Sequence, residues 1–190
     1  APQAAAVIEL ESARMSRLIS DMLLLASTDA RDWPVAMTSV ETDTVLLNVY
    51  ETYLPVFLEQ GCALSLRLPD APLAKATADA GRLSQVLGIL LDNALSYGVT
   101  QSHSSIELAA FQAGRNVCLT VSDHGPGLTA EQKKQVFERF YRGDAARKDK
   151  QHFGLGLSIA RELIRLQNGR LNVEDTPGGG CTFRITLSAS

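Results

Sequence analysis

Apolar and polar positions change period several times along the chain. From Val7 to Ala26, Ile8, Met15, Leu18, Met22 and Leu25 fall at helical spacing, with Glu11 breaking the stripe, which predicts an amphipathic helix. Its end is marked by a polar run, Ser27 to Asp32, and then Trp33-Pro34, a linker signature. Two readings of this helix stand: the heptad-like spacing suits a bundle or coiled coil outside the main domain, and the other reading packs it on the domain that follows. A short strand is expected around Val35 to Val40. A helix follows, with Thr42 or Asp43 as cap, running to about Gln60 and stopping at Gly61, with a kink or break at Pro55.

Alternation predicts a half-buried strand over Cys62 to Leu68 and a short one over Lys75 to Ala78. Asp79 caps the next helix, which Gly98 stops after Tyr97. Ile106 to Gln112 and Val117 to Asp123 read as a hairpin around Ala113 to Asn116. Thr129 and Glu131 start a helix to Phe137, and Leu157 to Gln167 is another, ended by Asn168-Gly169. Leu171 and Val173, then Phe183, Ile185 and Leu187, are the last two strands, joined across Pro177 to Gly180. The expected architecture is α+β: a two-layer sandwich of a mainly antiparallel sheet with about three helices on one face, preceded by one bundle helix. The expected boundaries are 1–30 for the bundle helix, 31–36 for the linker and 37–190 for the main domain.

Composition narrows the function. The 190 residues are 45% hydrophobic, enough for a true core, and the net charge of −3 leaves no nucleic-acid footprint. Arg139, Arg142, Arg147, Lys148 and Lys150 form a local basic cluster, read either as a solvated loop or as a phosphate-facing one. Three widely spaced cysteines, Cys62, Cys118 and Cys181, suggest buried reduced thiols rather than zinc or disulfides, which fits a reducing cytosol. No apolar run approaches a membrane span.

Four pieces then line up. Asn93 lies inside an otherwise apolar helix, where an Asn is a poor helix former; it reads as a hydrogen-bonding boundary residue or as an oxygen ligand for Mg²⁺. Asp123-His124-Gly125-Pro126-Gly127 follows a strand and delivers a carboxylate beside two glycines. Residues 137 to 153 are first aromatic and basic, then polar and aperiodic like a lid. Gly154-Leu155-Gly156-Leu157 opens a helix, where free N–H groups and the helix dipole favour an anion.

In these residues the chain resembles the catalytic ATP-binding domain of bacterial sensor histidine kinases, of the family shared with gyrase, heat-shock-chaperone and mismatch-repair ATPases. The likeness covers 35 to 188. Asp79 to Tyr97 resembles the N box, Asp123 to Gly127 the first glycine box, and Phe137 to Phe140 the F box. Gly154 to Leu157 resembles the second glycine box, and Gly178 to Phe183 the closing glycine-rich turn. The resemblance implies a Bergerat-type fold binding ATP and Mg²⁺. Asn93 would hold the metal, and Asp123 would accept a hydrogen bond from the adenine amino group. Gly125 and Gly127 would let the backbone pass the base, and Tyr97 would pack near it. Gly154, Leu155, Gly156 and Leu157 would shape the phosphate-facing helix end, Thr182 would line the nucleotide site, and Arg139, Arg142 or a lid residue would meet the γ-phosphate.

It further implies transfer of that phosphate to a His on the chain's own phosphoacceptor helix and relay to a response regulator. The full-length protein would be a homodimer, with this part the cytoplasmic domain of a bacterial inner-membrane sensor. His103, His124 and His152 do not occupy the phosphoacceptor context, so this stretch is expected to bind ATP without phosphorylating itself. Two departures stand out. Ile89, four residues before Asn93, replaces a position that resembles the water-activating Glu of the related ATPases, and Ser96 replaces a basic residue often found before the Tyr. They argue against a freely hydrolysing ATPase, and they support an alternative, a degenerate nucleotide-binding regulatory module.

Overall fold

The computed structural model describes residues 35–99, 105–142 and 153–190, together with Met15. The expected bundle helix, most of the linker, His103 and the 144–152 lid lie outside the described residues.

Strands β1 (Thr38–Val40) and β3 (Ala76–Ala78) pair as an antiparallel ribbon. Five others form one sheet in the order β2-β4-β5-β7-β6: β2 (Ala63–Arg67), β4 (Ser105–Ala113), β5 (Asn116–Ser122), β7 (Cys181–Ser188) and β6 (Arg170–Asp175). β2 runs parallel to β4, and the remaining neighbours are antiparallel. The parallel pair is possible because a long segment, which includes β3 and a full helix, separates its strands.

Helices α1 (Thr42–Glu59), α2 (Ala80–Tyr97) and α4 (Gly156–Leu166) form the second layer, and α3 (Ala130–Gln135) is a short helix after the Asp123 loop. α1 and α4 pack on α2, and all three contact the sheet. The helical period places Leu83, Leu87, Leu90 and Leu91 of α2 at full burial. Against them the strand alternation brings Leu108, Leu119, Phe183 and Ile185. Each such side chain stabilises the fold by about 1.5–3 kcal/mol.

Asp79 caps α2 as expected: its Oδ1 accepts from Arg82 N at 3.0 Å, and its Oδ2 accepts from Ala36 N at 2.9 Å. Its own N–H donates to Gln167 Oε1 at 2.8 Å, which ties the start of α2 to the end of α4. Burial pushes the carboxyl pKa up, but the backbone N–H groups of Arg82, Ala36 and Gly81 bring it below its ordinary value.

Two local expectations are corrected. Of the kink or break expected at Pro55, the break does not occur, and α1 continues through it. Pro55 and Glu51, whose carbonyl loses its donor, are both exposed, so water can take the place of the missing bond. The N-cap of α1 is Glu41, not Thr42 or Asp43, and its side chain makes no cap bond; Asp43 instead accepts from Thr44 N at 2.9 Å. In α3 Thr129 is the N-cap and Glu131 lies in the first turn, as expected, and a capping box pairs Thr129 with Gln132.

The opposite face of the sheet is lightly covered. Arg184 reaches over it, 5.6 Å from the Phe111 ring centroid and ion-paired to Glu174 at 2.8 Å. Ala109, Cys118 and Thr120 are buried there, although no helix among the described residues lies above them.

Candidate functional site

The site gathers at the end of the sandwich where α2, the Asp123 loop, the β6–β7 turn and the start of α4 meet. β5 delivers Asp123 to a position 5% exposed. Its Oδ1 accepts from Gly125 N at 2.9 Å and from Cys181 N at 3.2 Å, while Oδ2 accepts no hydrogen bond among the described residues. One oxygen is therefore pinned and the other is available. Burial pushes the carboxyl pKa above its ordinary value; the two amides and the neighbouring His124 oppose this without cancelling it.

The loop holds its shape through glycines. Gly127 has φ 72°, and a β-carbon there would stand 3.4 Å from Gly180 O. Pro126 between Gly125 and Gly127 is exposed. Tyr97 ends α2 half-buried, next to Gly98, which touches Asp123.

Ile89 lies about one turn before Asn93 and about two and a half turns before Gly98 on the same helix. A β-carbon on Gly156 would meet Ile89 Cγ2 at 3.2 Å, so α2 and the first turn of α4 are in contact there. Asn93 lies one turn further along that face of α2. It is half-buried, and its amide makes no hydrogen bond among the described residues. α4 begins at Gly156 after Leu155, whose side chain supplies no cap bond, and no acidic residue lies in its first turn. Its leading N–H groups and dipole are thus uncompensated by side chains of that turn, which suits an anion. Leu155 is buried and Leu157 half-buried, so they fix this helix end by packing.

The F-box segment is anchored by Phe137. Its ring meets Phe183 edge-on, with centroids 6.2 Å apart, and the Arg161 guanidinium lies 5.5 Å from its centroid. Lys133 pairs with Asp175 and ties α3 to β6. Beyond Phe137 the chain exposes Arg139 and Phe140 and half-buries Arg142. Phe140 N donates to Gly154 O at 2.9 Å, which joins the two ends of the 143–152 segment. Gly154 has φ 73°, and a β-carbon there would stand 2.5 Å from Tyr141 O, so glycine is needed both for conformation and for space.

Asn93, Asp123, Gly125, Gly127, Gly154 and Gly156 therefore come to one end of the fold. Thr182 does not join them. Its hydroxyl is 2.9 Å from Ser122 Oγ and 2.9 Å from Thr176 Oγ1, on the face of the sheet away from the helices. Alternation along β7 puts its neighbour Cys181 on the Asp123 side instead. Burial, then the charge of Asp123, pushes the Cys181 thiol up to about 12. Gly98 and Cys181 are the site residues that sequence patterns missed. Gly98 is legible only as a helix stop, and Cys181 only as a strand residue.

Among the described residues no group of three or more His, Cys, Asp or Glu could hold a metal ion. No helix among them is long and apolar enough to cross a membrane.

Comparison with known proteins agrees with this geometry. The family described as histidine kinase-, DNA gyrase B-, and HSP90-like ATPase matches residues 78–190. The signal transduction histidine-protein kinase BaeS of Escherichia coli (strain K12) is 29% identical over 187 residues, 98% of this chain and 39% of its own length. The sensor histidine kinase WalK of Bacillus subtilis (strain 168) is 29% identical over 188 residues, 98% of this chain and 30% of its own length. The structure of full-length ShkA in complex with AMPPNP superposes with a TM-score of 0.81 at 28% identity, covering 100% of this chain and 40% of that one. The chain thus spans well under half the length of these relatives.

Proposed function

The chain belongs to the histidine kinase-, DNA gyrase B-, and HSP90-like ATPase family, and from that premise we propose that it is the ATP-binding catalytic part of a sensor histidine kinase. The observation that carries this reading is the Asp123 carboxylate, buried, held through one oxygen by two backbone amides and offering the other. Such a group suits the amino group of adenine. The last turns of α2, from Gly98 back to Asn93, then lead from the base toward the start of α4, about 7–8 Å along the helix axis at 1.5 Å per residue.

In this reading the N–H groups at the start of α4 hold phosphate oxygens, and Asn93 is the protein's ligand to Mg²⁺. The metal neutralises phosphate charge when bound. In this reading Arg139, Arg142 or a basic residue of the lid segment meets the γ-phosphate. The protein's own task is to bind, orient and exclude water, since phosphoryl transfer needs little covalent work from the enzyme. The acceptor is a His on a bundle helix that this sequence does not contain, and the phosphate passes on to a response regulator. The reading extends to a homodimer and to a cytoplasmic position beneath a bacterial inner-membrane sensor. Its support is that the relatives named above are sensor or signal-transduction histidine kinases and match over nearly all of this chain.

Calorimetry with ATP and Mg²⁺ tests the site. Asn93→Ala and Asp123→Asn should each weaken binding by about tenfold or more, the worth of one charge-assisted contact; unchanged affinity in both variants removes the assignment. The activity is tested on a longer chain that includes the phosphoacceptor helix. If it binds ATP but takes up no labelled phosphate, the kinase reading fails.

A further inference from the structure

Gly98 ends α2 with φ −89° and ψ −10°, a conformation open to any residue, so the backbone does not call for glycine. Space does. A β-carbon on Gly98 would stand 2.4 Å from Asp123 Cβ, 2.6 Å from Asp123 Cγ and 2.7 Å from Ala94 O. Carbon atoms in contact settle about 3.5–4.0 Å apart, so one of these groups would have to move. Ala94 O cannot yield readily, because it accepts the closing bond of the helix from Gly98 N at 2.7 Å. Asp123 is held from its other sides. A β-carbon on Gly180 would stand 2.1 Å from Asp123 O, and one on Gly125 would stand 2.7 Å from Gly98 Cα. The helix end, the Asp123 loop and the β6–β7 turn meet backbone to backbone at these three glycines.

We infer that Gly98 is a positioning residue for the base-reading carboxylate: its missing β-carbon lets the end of α2 close on Asp123 and sets the direction of the free Oδ2. The inference rests on the reading of Asp123 given above. Gly98 does this without contributing any polar group of its own. A β-carbon there displaces Asp123 from the amides of Gly125 and Cys181, and the charge-assisted contact to the 6-amino group is lost first. Contacts to the phosphates, held in that reading by Asn93 and by the start of α4, remain.

The test measures two affinities on one sample, for ATP and for purine riboside triphosphate, which lacks only the 6-amino group. The wild-type chain should favour ATP by about tenfold or more. In Gly98→Ala that preference should collapse toward one, through weaker ATP binding, while purine riboside triphosphate binds within about twofold of wild type. The ratio does not depend on the folded fraction, so partial destabilisation leaves it readable. If the wild type shows no preference, the reading of Asp123 itself fails. If the wild type discriminates and Gly98→Ala keeps the ratio, or loses both nucleotides in parallel, the positioning role is overturned. A Gly98→Ala chain that does not fold also counts against it, because the cost is held to be local.

Discussion

Ile89 packs directly against Gly156: a β-carbon on the glycine would lie 3.2 Å from Ile89 Cγ2. The residue that departs most clearly from the related ATPases is thus a spacer between α2 and the first turn of α4. Its aliphatic side chain can neither abstract a proton nor bind a metal. Ile89→Ala should lower stability in urea unfolding by about 1–2 kcal/mol, below the 2–5 kcal/mol of a fully buried site because Ile89 is half-buried. Because the spacer sets the distance between Asn93 and the start of α4, Mg²⁺-dependent nucleotide affinity should fall as well. A loss of affinity with no loss of stability would refute the packing role.

Asp123 makes stability and binding depend on pH in opposite senses. Burial raises its pKa above the ordinary 3.8, so the folded chain holds this proton more tightly than the unfolded one. That contribution to stability is fully present below about pH 3.8 and is lost as pH rises through the folded pKa. Asp123→Asn keeps an oxygen for both amides and carries no charge. It should therefore have the higher urea midpoint at pH 7, with the gap closing as both proteins are taken toward pH 4. Wild-type ATP affinity should change the other way, falling as acid protonates the carboxylate, and in Asp123→Asn that pH dependence should be absent.

Cys181 and Thr182 separate the two faces of β7. Thr182→Ala breaks the hydroxyl contacts to Ser122 and Thr176 and should cost about 1 kcal/mol per lost bond in stability, with ATP affinity unchanged. A tenfold loss of affinity would return Thr182 to the nucleotide site. The Cys181 thiol, buried and with its pKa pushed up to about 12, should resist iodoacetamide at pH 8 in the native chain and react once the chain is unfolded. Peptide mapping of the alkylated protein reads this directly.

The element order was legible from periodicity. The apolar alternation of β4, β5 and β7, the 3.6-residue stripe of α2 with its Asp79 cap, and the glycine stops are local properties, and the structure keeps all of them. The errors were local competitions that a neighbour settled. Pro55 sits on the solvent side, where water can take the place of the missing donor, so α1 continues. Glu41 begins α1 because its neighbour Thr42 turns inward and is 1% exposed.

The sequence by itself determined which chemistry is present: a strand that ends in Asp123 beside two glycines, an amide at Asn93 in an apolar helix, and a helix opened by Gly154 and Gly156. These depend on residue type and short spacing, which a linear pattern carries. Only the tertiary structure decided the partners: that Oδ1 of Asp123 is taken by Gly125 and Cys181, that Gly98 rather than a side chain closes on it, and that Thr182 faces away. Those facts follow from the register of β5 against β7 and from how closely α2 ends against the Asp123 loop. Both are set by packing between segments far apart in the chain, where the absence of a single β-carbon matters and no local pattern records it.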